Sequence, residues 1–211
     1  MEDDGVVKYN QEYRVGLPSS DDALKELDIC RQILYDDGLI GIDPERYGGQ
    51  GYGNVSQRIA PFVDDERIFI ITGTGTGELA KLTNDHYTTV LESYPDENRV
   101  VVEGPIRASS ESMTHDALYV LDDSLRFVFH GHSPEIWKNA RRLGMPITRD
   151  NVEYGTPEMV EEVQRLFRDT NVRDMGIFSM GGHEDGIISF GVRSQDALSI
   201  MNYALEKSQS K

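Results

Sequence analysis

Two histidines one residue apart, His130 and His132, lie in the stretch "FVFHGHSP" at residues 127–134. The run from Leu125 to Phe129 is apolar apart from Arg126 and reads as a buried strand. Side chains two apart in a strand share a face and lie roughly 7 Å apart along the chain, so both imidazoles address one object. Paired neutral imidazoles are good ligands for zinc and similar divalent metals. The structural alternative is a pair of strand-end histidines, each bonded to a backbone carbonyl. Of the five histidines in the chain, His86 reads as a surface or capping residue, while His115 and His183 sit at junctions between elements. His183 follows Gly181-Gly182, where backbone can come close to a ligand. Three histidines and one open position make a catalytic zinc site, with chance clustering as the alternative.

A carboxylate stands in "ASSESMTH", where Glu111 follows Ser109 and Ser110. As capping chemistry, a serine starts the helix and Glu111 complements its dipole. As a site, the same helix start offers hydroxyls and N–H groups to an anion, with Glu111 beside it as a base. His115 lies one helical turn further on and reads mainly as structural. Two glycine-rich stretches, "GYGNVSQR" (51–58) and "ITGTGTGE" (71–78), offer backbone N–H groups and hydroxyls to a phosphate. Neither carries the P-loop lysine nor the dinucleotide-binding glycine spacing.

These residues belong to a chain of 211 residues with 21 Lys and Arg against 37 Asp and Glu, a net charge of −16. That balance argues against nucleic acid or an anionic membrane as partner. The single Cys30 excludes an internal disulfide and a cysteine zinc site. With no spanning apolar stretch and no signal-peptide pattern at the amino terminus, a soluble cytoplasmic protein is expected.

The elements that must position the candidates alternate irregularly. Residues 1–19 read as a loosely ordered segment ahead of one domain spanning 20–211. Helices are expected over Asp21–Tyr35, from Ser109 or Ser110 to Tyr119, from Ser133-Pro134, from Thr156 to Phe167, and over Ser194–Lys207. Strands are expected over Asn54–Ile59, Arg67–Thr72, Arg99–Glu103 and Arg126–His130. A hairpin joins Met175–Met180 to Gly186–Phe190 around His183. Gly38–Gly53 reads as a glycine-rich loop. This pattern predicts an α/β fold with a mixed sheet flanked by helices.

In order and spacing, "GNVSQR", "ITGTG", "KLT", "SSE…H", "HGHSP" and "GGHEDGIISFG…DAL" resemble the class II aldolase/adducin family from residue 53 to about 203. The resemblance implies a three-layer α/β/α fold with a mainly antiparallel central sheet, and a Zn2+ or other divalent metal as cofactor. It places the metal ligands on His130, His132 and His183, the catalytic acid on Glu111, and a substrate phosphate against Gly53, Asn54, Thr74, Gly75, Ser109 and Ser110. It further implies a lyase acting on a ketose phosphate or a related small hydroxy-carbonyl compound, in a homo-oligomer of which a tetramer is one form. The family's dehydratases, epimerases and decarboxylases, and its non-catalytic adducin-like modules, are the alternatives. The family usually has glycine directly after the third histidine, whereas "HEDG" inserts Glu184 and Asp185 here. An alignment without a gap would put Asp185 in the ligand position. Gly181 and Gly182 are expected to supply the unusual dihedrals that let the turn bulge and present His183 instead.

Overall fold

The computed structural model describes residues 7–62 and 67–210. Its elements are β1 (Asn10–Val15), α1 (Asp21–Asp36), β2 (Gly41–Ile42), β3 (Gly51–Tyr52), β4 (Asn54–Arg58), β5 (Phe69–Thr72), β6 (Tyr87–Tyr94) and β7 (Arg99–Gly104). They continue with α2 (Ser112–Leu121), β8 (Phe127–His132), α3 (Pro134–Asn139), α4 (Pro157–Asp169), α5 (Val172–Met175), β9 (Ile177–Ser179), β10 (Gly186–Gly191) and α6 (Ser194–Gln209).

Local chemistry sets the helix boundaries. The Ser20 side chain accepts from the Ala23 N–H and opens α1, whose Leu24, Leu27, Cys30 and Leu34 form one buried stripe. Ser133 and Thr156 cap α3 and α4 in the same way, each with proline at the first helical position.

Among the described residues, eight strands form one sheet in the order β1-β7-β6-β5-β4-β8-β10-β9. Only β1 and β7 run parallel; every other pair is antiparallel. One face of the sheet packs against α2 and α4, where Met113, Leu118, Met159 and Val163 meet Val90, Val102 and Val128. The other face packs against α1, α3 and α6, where Leu27, Leu34, Ile136 and Met201 meet Val55, Ile70 and Phe129. Each such fully buried side chain contributes about 1.5–3 kcal/mol relative to exposure. The result is the expected three-layer α/β/α arrangement, and its interior strand β8 is buried at every position.

Two strands depart from the sequence reading. Asn10–Val15 lies in the segment read as loosely ordered, yet it pairs with β7 from Asn10 opposite Arg99 to Val15 opposite Gly104. Residues 1–6 of that segment lie outside the described residues. Tyr87–Tyr94 was not expected as a strand, although its run of Tyr, Thr and Val favours one. Among the described residues, no helix is long and apolar enough to cross a membrane.

Candidate metal centre and adjoining cleft

Strand pairing brings the candidates to one edge of the sheet. Asn54, at the start of β4, lies opposite His130, and Gly186, at the start of β10, lies opposite His132. The turn after β5 is stitched to the segment before α2: Gly73 bridges Ala108, and the Thr74 N–H donates to the Arg107 carbonyl at 2.9 Å. That stitching delivers Ser109, Ser110 and Glu111 to the same edge.

His130 and His132 share the sheet face of Val128 by strand alternation. His183 reaches them from the β9–β10 connection. The three rings are 2–3% exposed, with centroids 4.7–5.3 Å apart. One ligand nitrogen from each lies within 4.8 Å of the others. His132 Nε2 and His183 Nε2 are 3.1 Å apart. A tetrahedral zinc with Zn–N bonds of about 2.0–2.1 Å places its ligand nitrogens roughly 3.3 Å apart, so the spacing fits. His130 Nδ1 lies 3.2 Å from the Ile187 carbonyl, an arrangement that directs Nε2 into the cluster. Burial pushes the His130 pKa down to about 4, and burial with mutual repulsion holds His132 and His183 well below the ordinary histidine value. The rings are therefore neutral at pH 7, the form that binds metal.

The "GGHEDG" turn achieves this differently from expectation. Gly181 and Gly182 do not adopt left-handed dihedrals; that conformation falls on Asp185, at φ 63°. The glycines are needed for close approach, since a Cβ on Gly182 would meet the Val152 carbonyl oxygen at 2.2 Å. Asp185 is fully buried and lies outside the three-histidine group. Its carboxylate forms an ion pair with Arg46 and accepts from the Tyr47 hydroxyl at 2.6 Å. Burial raises its pKa, opposed by the Tyr47 hydrogen bond and the Arg46 charge.

Three tyrosines complete the surroundings, and sequence reasoning passed over all of them. Tyr47 packs edge-on against His132 at 4.5 Å, Tyr52 lies 5.1 Å from the same ring, and Tyr154 sits 4.4 Å from His183. Tyr47 and Tyr52 belong to the glycine-rich stretch 38–53. An aromatic residue recurring within a glycine-rich segment was the available signal.

Beside His130 opens a small cleft. Gly53, Asn54, Thr74, Gly75, Ser109 and Ser110 all line it, and so do Glu111 and Tyr52. Its glycine-rich wall is held from behind by Arg31, a buried residue of α1. The Arg31 guanidinium donates to the carbonyls of Thr76 at 3.0 Å and Gly77 at 3.3 Å. The capping expectation for the serines does not hold: α2 starts at Ser112, and the residue before it is Glu111, with no side-chain cap. Ser109 Oγ instead accepts from the Glu111 N–H at 3.4 Å. Glu111 is 1% exposed, within the cleft wall. His115 is fully buried on α2, bonded at 2.7 Å to Ser56, and burial keeps it neutral. His86 caps a short turn through Thr83, as expected.

Residues 45–204 match the family model described as the class II aldolase and adducin N-terminal domain. The chain belongs to the class II aldolase and adducin family. Solved structures of similar fold include the l-fuculose-1-phosphate aldolase of Thermus thermophilus, at 20% identity and a TM-score of 0.63, covering 90% of this chain and 92% of that one. A sugar-phosphate aldolase from Thermotoga maritima aligns at 11% identity and a TM-score of 0.67, covering 89% and 92%. The N-terminal class II aldolase domain of a conserved Thermoplasma acidophilum protein aligns at 14% identity and a TM-score of 0.59, covering 99% and 98%. No curated protein matches in sequence. Class II aldolase membership accounts for the α/β/α layers, and a three-histidine cluster able to hold a metal ion lies within the family's matched span.

Proposed function

We propose that this chain is a divalent-metal-dependent lyase of aldolase type, with zinc as the metal and a ketose phosphate or related small hydroxy-carbonyl phosphate as substrate. The observation that carries the reading is the convergence of His130, His132 and His183 beside a cleft lined by Glu111 and hydroxyl- and glycine-rich segments. The three imidazoles hold the metal, which when bound supplies Lewis-acid stabilisation to a substrate oxygen. Glu111 takes and returns a proton at the carbon next to the substrate carbonyl. Ser109, Ser110 and Thr74 donate hydroxyl hydrogen bonds to the phosphate, while Gly53, Asn54 and Gly75 let backbone approach it closely. Buried walls around Glu111 exclude water from the reacting carbon. The homo-oligomer implied by the family resemblance and a cytoplasmic setting are part of this proposal.

A non-catalytic adducin-like role would not require a buried carboxylate beside three converging imidazoles. Zinc-reconstituted protein screened for retro-aldol cleavage of ketose 1-phosphates tests the proposal. Aldehyde release that disappears with chelator supports it. Metal-loaded protein inert toward that panel, and toward epimerisation and decarboxylation of the same compounds, overturns it.

A further inference from the structure

We infer that the N-terminal segment of Tyr9 and strand β1 belongs to the site, with Tyr9 and Gln11 as positioning residues for the Ser109–Ser110–Glu111 turn. The inference rests on the reading of Ser109 and Ser110 as phosphate ligands. It concerns residues that lie before the family-model match, which begins at residue 45.

The contacts are specific. Tyr9 is 6% exposed, and its hydroxyl donates to the Ser109 carbonyl at 2.7 Å. Gln11 brackets Ala108 from both sides: its Oε1 accepts from the Ala108 N–H at 3.2 Å, and its Nε2 donates to the Ala108 carbonyl at 3.3 Å. The same Nε2 donates to the Tyr9 hydroxyl at 3.1 Å, which joins the two side chains into one unit. The Ser109 carbonyl also accepts from Ser112 Oγ at 2.8 Å, so the first turn of α2 is anchored at the same oxygen. Residues 108–111 precede α2 and have no side-chain helix cap to fix them. Their conformation is set from β1 and from the bridge to Gly73. A second contact of the same segment runs toward the histidines. Lys8 Nζ lies 3.7 Å from the centre of the Tyr154 ring, which packs on His183.

A strand that merely completed the sheet would need only its ladder to β7. Tyr13 supplies the internal control. It lies on the same strand, and its hydroxyl donates at 2.9 Å to the Gly104 carbonyl, outside the cleft lining.

The test titrates inorganic phosphate into wild type, Tyr9→Phe, Gln11→Leu and Tyr13→Phe by calorimetry, with the Tm of each recorded. Loss of a buried positioning bond is expected to raise the phosphate Kd about tenfold in Tyr9→Phe and Gln11→Leu. Tyr13→Phe is expected to bind like wild type while losing a comparable few degrees of Tm. Wild-type affinity in both test variants overturns the inference, as does a weakening in all three that follows Tm. Failure of wild type to bind phosphate overturns the phosphate reading itself and the inference with it, a result separate from unchanged affinity in the variants.

Discussion

The Tyr47 hydroxyl donates to the Asp185 carboxylate at 2.6 Å, and this bond assigns the roles within the "GGHEDG" turn. With Arg46 on the same carboxylate, Asp185 fastens the stretch carrying Tyr47 against His132. His183 then stands 3.1 Å from His132, nitrogen to nitrogen. His183→Ala should therefore lose far more metal affinity than Asp185→Ala. The second change should cost about 10–100-fold, as supporting residues around a metal typically do. Competition with a chelator measures both, and the opposite order would move Asp185 into the ligand set.

Glu111→Gln should keep the fold and the metal while removing turnover. Glutamine preserves the shape of this buried side chain and cannot take up a proton at neutral pH. A fall of about 10²–10⁴-fold in kcat, with unchanged metal content, is expected. Activity that survives intact would reduce Glu111 to a residue of the helix start.

Two glycines of the "TGTG" turn should answer differently to alanine. At Gly77 a Cβ would meet the Tyr52 carbonyl oxygen at 2.5 Å and its nitrogen at 2.7 Å, so the cleft wall must shift. Gly77→Ala should cost about 1–3 kcal/mol in urea unfolding and weaken phosphate binding. At Gly75 no protein atom lies within 4 Å and only the φ of +71° resists, so Gly75→Ala should cost about 1–2 kcal/mol without shifting the wall and weaken phosphate binding only through its own methyl group. Wild-type phosphate affinity in Gly77→Ala would show that the Gly77–Tyr52 contact does not shape the cleft.

The metal-free protein should lose stability as pH falls from about 6.5 to 4. His130 titrates near 4 when folded and near the ordinary 6.5 when unfolded. Across that window the unfolded chain binds more protons, so acid favours unfolding, by on the order of 3 kcal/mol for this residue alone. His115, His132 and His183 are shifted in the same direction. Asp116 and Asp185 work in the opposite sense, because burial raises both pKa values, that of Asp116 to about 7, and their contribution is lost as pH rises. Four buried histidines outweigh these two carboxyls. Urea midpoints at pH 7, 6, 5 and 4 should fall in sequence, and a flat profile would contradict the buried, neutral cluster.

The sequence exposes residues whose meaning lies in local periodicity. His130 and His132 share a face because any strand alternates, and their strand is marked by its apolar run. The convergence of His183 could be inferred only by resemblance, because it depends on β10 pairing with β8 across more than fifty residues. The assignment of Asp185 was open for the same reason, since its partners Arg46 and Tyr47 lie far back in the chain. Tyr9 and Gln11 were hidden differently. "KYNQEYRV" is polar enough to look loosely ordered, and its alternation of Tyr9, Gln11 and Tyr13 gains meaning only once β7 stands beside it. The serines illustrate the reverse error. Ser109 and Ser110 are good capping residues by type, but α2 begins one turn later and they face the cleft instead.

The central claim is a metal held by His130, His132 and His183. Protein purified without a histidine tag, reconstituted with zinc and freed of excess, should contain one zinc per chain by elemental analysis, and His132→Ala should contain none. Wild-type protein that retains no zinc, or a variant that retains as much as wild type, would contradict the account.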